Sequence, residues 1–376
     1  YGNRDAARRF GGRLSMPALL AQVPRAACLL WLVYAHYRAR ADKPPWHPVS
    51  TAGEFRLRRT RHDRHFIRVV EARELCQKLA VGRQRGGSWC AGLVRQISDR
   101  IENRLYLTYV DNDQELPGSL SQAQFDEDPY QANPNNIPGN FLYNVEKWRV
   151  ANRTEWALSD TSDLVVGFSF EDQSLYHPIV ENPFFSLLID NDQTTFGTTV
   201  RYDKKLGNHD LLLGLNYGET RVKGGNYQHS GGVRGALSTK VDNKADNLEI
   251  FAMDHWHFAE RWTLVYGAQA VTGTREVSNT DVASGVERNP KEDYDAINPR
   301  VGVIYQLADR SELFANVSKL YEAPTLYQLE DDVQANNETL DPMQGVVGEV
   351  GTRGSAPFGQ ASQWNWEVSV YYAQIE

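Results

Sequence analysis

The chain has 376 residues, 41% of them hydrophobic and 23% charged, with a mean hydropathy of -0.53 and a formal net charge of -8. Hydropathy this dilute excludes a bundle of membrane helices, but not a membrane β-barrel, in which lumen-facing polar residues alternate with lipid-facing apolar ones along every strand. The net charge hides a division: residues 1–100 hold 20 Lys+Arg against 7 Asp+Glu, net +13, and the remainder is net -21, so two kinds of sequence meet near residue 100.

The first hundred residues carry no folding pattern. Eighteen of their twenty basic residues are arginine, and prolines and glycines interrupt any helical period. The longest apolar run, Ala26 to Ala35, has ten residues, against the roughly 20 that a membrane-spanning helix needs. Arg56 to His65, RLRRTRHDRH, is the best candidate nucleic-acid patch. It lacks a helix-turn-helix pattern, stacking aromatics and metal spacing, and Cys28, Cys76 and Cys90 form no CxxC pair, so no nucleic-acid partner is expected. Arg, Ala, Pro, Trp and Cys without period are what a GC-rich gene yields when translated out of frame. The expectation is that about Gly2 to about Val94 is out-of-frame or otherwise non-native sequence, with the frame regained near Gln96. Resequencing the gene decides this: a confirmed frame together with a protease-resistant segment overturns it.

From Ile101 the chain alternates. Leu105, Leu107 and Tyr109 share one parity, as do Trp148, Val150, Trp156 and Leu158, and Leu164, Val166, Phe168 and Phe170 oppose Gly167, Ser169 and Glu171. Later runs repeat the pattern: Leu211, Leu213, Leu215 and Tyr217; Val301, Val303, Tyr305 and Leu307; Leu313, Ala315 and Val317 opposite Asn316 and Ser318; and Trp364, Trp366, Val368, Val370 and Tyr372 opposite Asn365, Glu367 and Ser369. A period of two with one apolar face encodes β-strands.

The connections alternate too. Short turns centre near residues 160, 207, 260, 308 and 357, and long polar stretches fall around 172–184, 222–246, 275–295 and 322–344. Strand, short turn, strand, long loop is the layout of an outer-membrane barrel. A tilted membrane strand needs about 9 to 11 residues, which these runs supply. Trp148, Trp156, Trp256, Trp262, Tyr321 and Trp364 suit interfacial aromatic girdles. The predicted fold class is therefore all-β, a transmembrane antiparallel up-and-down β-barrel with 11 or 12 countable strands over residues 101–376, preceded by the Arg-rich segment 1–100. A soluble sandwich or propeller is the alternative, but a propeller blade takes four short strands rather than two long ones.

One stretch carries a resemblance. Pro299-Arg300, Tyr321-Glu322-Ala323-Pro324 with Leu329 following, Leu340-Asp341-Pro342, and Glu349-Val350-Gly351-Thr352-Arg353 are similar to the C-terminal barrel signature of TonB-dependent outer-membrane receptors: an aromatic-x-A-P-T/S turn, an L-x-P-E element and E-x-G-x-R on the next strand. Met343 departs from it, standing where the family usually has Glu. The resemblance covers residues 101–376. It implies a 22-stranded barrel around an N-terminal plug, the cell outer membrane of a Gram-negative bacterium, outer-membrane lipid around it, and uptake of a ferric siderophore or similar iron chelate powered by the TonB energy-coupling complex, provided a plug and TonB box exist in the full-length protein. Tyr1-Gly2 and Gly11-Gly12 are weakly similar to the plug's YG…GG, and no TonB box is identifiable. Haem is disfavoured, because the family's haem receptors tend to carry a histidine in the loop that here runs from Pro324 to Pro342 without one. A diffusion porin without TonB coupling is the alternative function.

Within the receptor reading, Tyr227, His229 and Arg234 in GGNYQHSGGVRG are the candidate ligand contacts. Glycines let a loop reshape, and aromatic and cationic groups suit an anionic or catecholate iron chelate. His255 and His257 share a strand face, but no third ligand is evident, and the acidic run Glu330, Asp331, Asp332 with Glu338 and Asp341 lacks calcium-loop spacing. No Ser/His/Asp set has a nucleophile's context. Neither enzymatic activity nor a metal or other cofactor is expected.

Overall fold

The computed structural model describes residues 67–74, 84–134, 136–331, 340–358 and 362–375. The Arg56–His65 patch, Cys28, Cys76, the glycine pairs near the start, Asp332 and Glu338 lie outside the described residues, as does most of the stretch expected to be out of frame.

One antiparallel sheet runs in chain order through β1 (Ile67–Glu74), β2 (Gln84–Ser98), β3 (Ile101–Glu115), β4 (Leu142–Ser159), β5 (Ser162–Asn182), β6 (Phe185–Leu206), β7 (His209–Ser230), β8 (Val233–Ala259) and β9 (Trp262–Glu276). It continues through β12 (Lys291–Ala308), β13 (Ser311–Glu322), β14 (Met343–Phe358) and β15 (Ser362–Ile375). The short strands β10 (Asn279–Asp281) and β11 (Glu287–Arg288) sit off this path, with β10 paired to β8. Three short helices lie in the connections: α1 (Gln122–Glu127), α2 (Asn136–Gly139) and α3 (Leu326–Asp331). Among the described residues β1 and β15 are the two edges and the sheet is not closed. No helix is long and apolar enough to cross a membrane, which says nothing of strands. Two strands, β1 and β2, stand ahead of Ile101, where the alternation becomes legible.

The register fixes two faces. Leu211, Leu213, Leu215 and Tyr217 of β7 stand opposite Asp254, Ala252, Ile250 and Leu248 of β8, and Tyr266, Ala268 and Ala270 of β9 continue that row to Val301 and Pro299 of β12. This is the outward face, and many of its large apolar residues are exposed, Ile250 at 53% and Val350 at 58% among them. An apolar band of this kind alternating with a polar face is the pattern of a membrane β-barrel strand. The other face is polar and bonded to itself: Thr199 Oγ1 donates to Asn216 Oδ1 at 2.7 Å, Asn216 Nδ2 to Glu249 Oε2 at 3.1 Å, and Arg104 Nε to Glu102 Oε1 at 2.6 Å.

Two aromatic rows bound the band. At the short-turn end the rings of His209, Trp256, Phe258, Trp262 and Tyr305 follow one another across β7, β8, β9 and β12 with centroid spacings of 5.8, 5.7, 6.4 and 4.6 Å. Toward the other end Trp148 lies 5.2 Å from Phe170, and Phe196 lies 5.2 Å from Phe168 and 6.2 Å from Tyr217. Trp and Tyr favour this depth because their rings are apolar at one end and polar at the other.

Beyond the second row the outward face turns charged without leaving the sheet. Glu219, Arg221 and Lys223 of β7 oppose Asp246, Lys244 and Asp242 of β8. Arg221 grips Asp242 through two nitrogens at 3.0 and 3.1 Å, and Lys244 reaches Glu219 at 3.3 Å. The long loops expected around 172–184 and 222–246 are therefore strand, closed by the two-residue turns 183–184 and 231–232. Gly231 and Gly232, with φ of 57° and 76°, supply the paired left-handed conformation of a hairpin turn that twists with its strands. At the opposite end stand the tight turns 99–100, 160–161, 207–208, 260–261 and 309–310, so the up-and-down plan expected from the sequence holds.

Candidate functional site

The long-connection end of the sheet holds the expected contact residues. Tyr227 and Arg234 meet across the β7–β8 hairpin, with the guanidinium carbon 5.0 Å from the ring centroid. Arg234 also forms an ion pair with Asp190 of β6, and its backbone N–H donates to the Tyr176 hydroxyl at 3.2 Å. Tyr176 in turn donates to the Gly232 carbonyl at 2.8 Å, so β5 pins the hairpin tip. The result is a half-exposed aromatic, guanidinium and carboxylate cluster on a braced hairpin. It lies on the row that continues the outward face, since Gly225, two residues before Tyr227, pairs Asp190 as Lys223 pairs Asp192.

His229 is differently placed. It is 6% exposed. Its Nδ1 accepts the Gly232 N–H at 3.3 Å, which leaves Nε2 to carry the proton and donate to the Val180 carbonyl at 2.9 Å. Phe141 packs edge-on against the ring at 6.1 Å. Both ring nitrogens are committed to backbone, so the histidine locks the turn while Tyr227 and Arg234 face out. His257 is similarly engaged, with Asp210 at 3.0 Å and Thr263 at 2.9 Å. Sequence reading missed Asp190 and Tyr176, which lie more than 40 residues from Arg234 and carry no local signal.

A second cluster explains the motif residues. Arg275, at the end of β9, is buried and donates from Nε to the Pro324 carbonyl at 3.0 Å, from Nη1 to the Asp246 carbonyl at 2.8 Å and from Nη2 to Asn247 Oδ1 at 3.0 Å. Burial lowers its pKa from the ordinary arginine value, and the nearby Asp246 opposes that. Around it Val277 and Leu329 are each 1% exposed and Tyr294 donates to the Leu340 carbonyl at 3.1 Å. Tyr321 belongs here rather than to an aromatic girdle: its hydroxyl is buried without a partner. Helix α3 begins on a capping box, with Thr325 Oγ1 accepting the Gln328 N–H at 3.3 Å and Gln328 Oε1 accepting the Thr325 N–H at 2.8 Å. Pro324, Leu329 and Leu340 thus hold the described ends of the β13–β14 connection against β9 and β12, with Ala323 and Pro342 beside them in the chain.

The remaining motif residues lie along β12 and β14. Pro299 has no N–H, and the β12–β13 pairing stops beside it at Arg300 and Ser318. On the polar face of β14, Glu349 accepts from Asn316 Nδ2 at 2.9 Å, and Arg353 pairs with Glu312 at 2.5 Å while lying 5.5 Å over the Phe314 ring. A Cβ on Gly351 would stand 2.5 Å from Phe314 Cζ. Only glycine lets that ring lie flat beneath the arginine.

Comparison with known proteins gives these features a family. Residues 88–376 match the family described as "TonB dependent receptor-like, beta-barrel". A ferric-pyoverdine BN7/BN8 receptor of Pseudomonas putida is 21% identical over 169 residues, 39% of this chain and 20% of that protein. Among solved structures, the ferric citrate transporter FecA superposes with a TM-score of 0.62 at 16% identity, covering 77% of this chain and 43% of that one. The ferric yersiniabactin uptake receptor FyuA of Yersinia pestis gives 0.63 at 13% identity, covering 79% and 46%. The chain spans less than half the length of each of these relatives.

Proposed function

Because this chain belongs to the TonB-dependent receptor family, as part of its β-barrel, we propose that it serves outer-membrane uptake of a ferric siderophore or a similar iron chelate, driven by the TonB complex. The observation that carries this is the agreement between a family match over residues 88–376 and relatives whose names are those of ferric-chelate receptors. The apolar band between two aromatic rows supports a place in the outer membrane of a Gram-negative cell, with outer-membrane lipid against the outward face. The polar inner face supports a lumen through which a hydrophilic chelate passes.

The test is uptake of radioactive ferric chelates into iron-starved cells whose own receptors have been deleted, using the full-length gene. Uptake of one chelate class that disappears when the TonB complex is deleted is the expected result. Uptake that survives the deletion identifies a diffusion channel instead, and no uptake of any ferric chelate overturns the substrate class.

Tyr227 and Arg234 are the proposed ligand contacts, because they present a ring face and guanidinium donors at a braced, half-exposed hairpin. His229 is proposed to hold that hairpin's shape rather than to touch the chelate. Replacing both Tyr227 and Arg234 with alanine is expected to weaken chelate binding by about 2 kcal/mol, roughly thirtyfold in Kd. Titration of the purified full-length receptor measures it, and an unchanged Kd removes both residues from the site.

A further inference from the structure

The hairpin that carries Tyr227 and Arg234 has its cations already engaged. Arg234 forms an ion pair with Asp190, and around it Arg221 and Lys223 are held by Asp242 and Lys244 by Glu219. Toward β3 the supply of cations stops. Residues 105–146 contain seven Asp+Glu and residues 171–200 contain five, and neither stretch has a lysine or arginine, whereas 219–246 has five Lys+Arg against three Asp+Glu. These twelve carboxylates outweigh the surplus of two positive charges on β7 and β8. Cross-strand pairing sets several of them on the outward face beyond the second aromatic row: Asp111 opposite Glu146, and Asp190 and Asp192 opposite Tyr176 and Ser174. Lys147, at their border, points to the other face, 3.7 Å from Glu171. A surface of one sign gathers ions of the other across about a Debye length, roughly 8 Å at physiological salt.

From this distribution we infer that the hairpin selects its ligand by charge: it takes iron chelates that carry free ammonium or guanidinium groups and excludes strongly anionic ones, with Asp190 as the specificity-determining residue. The inference rests on the receptor reading. An anionic chelate would have to cross the acidic row and then break the Arg234–Asp190 pair, leaving the Asp190 carboxylate beside it without its partner. A cationic chelate meets Asp190, Asp192 and Glu181 and leaves that pair intact, while the other N–H groups of the Arg234 guanidinium serve neutral oxygens of the chelate. The pairing with Asp190 thus reverses the charge expected of the chelate from Tyr227 and Arg234 alone.

The charge preference is measured first without a chelate. In full-length receptor whose native cysteines are replaced by serine, Val233→Cys places a thiol beside Arg234, at a position 71% exposed. Its reaction with a trimethylammonium and with a sulfonate methanethiosulfonate is timed in low salt, each rate divided by that of the same reagent with free cysteine. The expected result is a preference of about tenfold for the cationic reagent, falling to about threefold in Asp190→Asn. A preference for the sulfonate, or none, overturns the inference whatever the chelate. Uptake is then compared for three linear ferric trihydroxamates that share one iron centre and end in an ammonium, an acetamide or a succinyl carboxylate. The ammonium form is expected to enter best and the carboxylate form worst, with Asp190→Asn narrowing the gap. Better uptake of the carboxylate form overturns the inference, as does a gap that Asp190→Asn leaves unchanged. If another ferric chelate is the one taken up, a net negative charge on it overturns the inference equally. A cationic thiol preference with no uptake of any ferric chelate sinks the receptor reading instead, and the inference with it.

Discussion

Placing an arginine at Ala268 should destabilise the barrel by about 2–4 kcal/mol, while the same arginine one residue later, at Gln269, should cost less than about 1 kcal/mol. Ala268 stands in the middle of the outward row, between Ala252 of β8 and Pro299 of β12. It lies between the aromatic row at the short-turn end and the one toward the charged collar. A guanidinium there has no water within reach and no partner across either strand. Gln269 points to the other face, between Phe251 and Asn298, where it accepts a hydrogen bond from Asn298 Nδ2 at 3.3 Å. An arginine at that position keeps its head in a polar lumen and gives up one long hydrogen bond. Urea unfolding of both variants in the same lipid vesicles measures the difference. Equal losses would mean that the band between the aromatic rows does not face lipid, and the transmembrane reading would go with it.

That contrast depends on parity, the property the sequence displays most openly. A strand with lipid on one side and a lumen on the other must alternate, so Leu211, Leu213 and Leu215 or Val301, Val303 and Tyr305 declare their face without any structure. Where the strands leave the bilayer the constraint lapses. From Glu219 to Ser230 and from Val233 to Asp246 the outward face turns charged while Val222, Val241 and Asn243 on the other face are buried, and cross-strand ion pairs such as Arg221 with Asp242 hold the ladder. A glycine-rich polar run of this kind reads as loop. Strand β2 escapes for a related reason: in Gln84–Ser98 Trp89, Leu93 and Ile97 share a parity, but Ala91 and Arg95 between them and the glycines Gly86, Gly87 and Gly92 dilute the face.

The site was legible only as far as its contacts are local. The hairpin around Tyr227 and Arg234 could be singled out because its own residues are unusual for a strand. What each residue does there is decided by partners on β5 and β6: Asp190 and Tyr176 hold Arg234, and the Val180 carbonyl accepts the hydrogen bond of His229 Nε2. The same holds for the motif in the β13–β14 connection. Tyr321, Pro324, Leu329 and Leu340 were recognisable by spacing, while the arginine they fold around sits 49 residues earlier than Pro324, at the end of a strand where nothing local distinguishes it.

Arg275 therefore carries the second large effect. Its guanidinium ties the start of the β13–β14 connection, through the Pro324 carbonyl, to the β8 backbone at Asp246 and the side chain of Asn247. Arg275→Met keeps the length and apolar stem of the side chain and removes every donor. The carbonyls of Pro324 and Asp246 and the amide oxygen of Asn247 are then left without this partner in a place where Val277 and Leu329 exclude water. Three such losses, partly relieved by water entering, should cost about 3 kcal/mol. The cost falls on the docking of the connection rather than on the barrel, whose ladders do not include it. Exchange of amide hydrogens in 323–331 should accordingly rise by about a hundredfold while the strands β7 and β8 keep their protection. Leu329→Ala should loosen the same segment by about 2–4 kcal/mol through the cavity it leaves. Protection that is unchanged in Arg275→Met but lost in Leu329→Ala would show that apolar packing alone holds the connection down. The hydrogen bonds of the arginine would then be a consequence of that docking and not its cause.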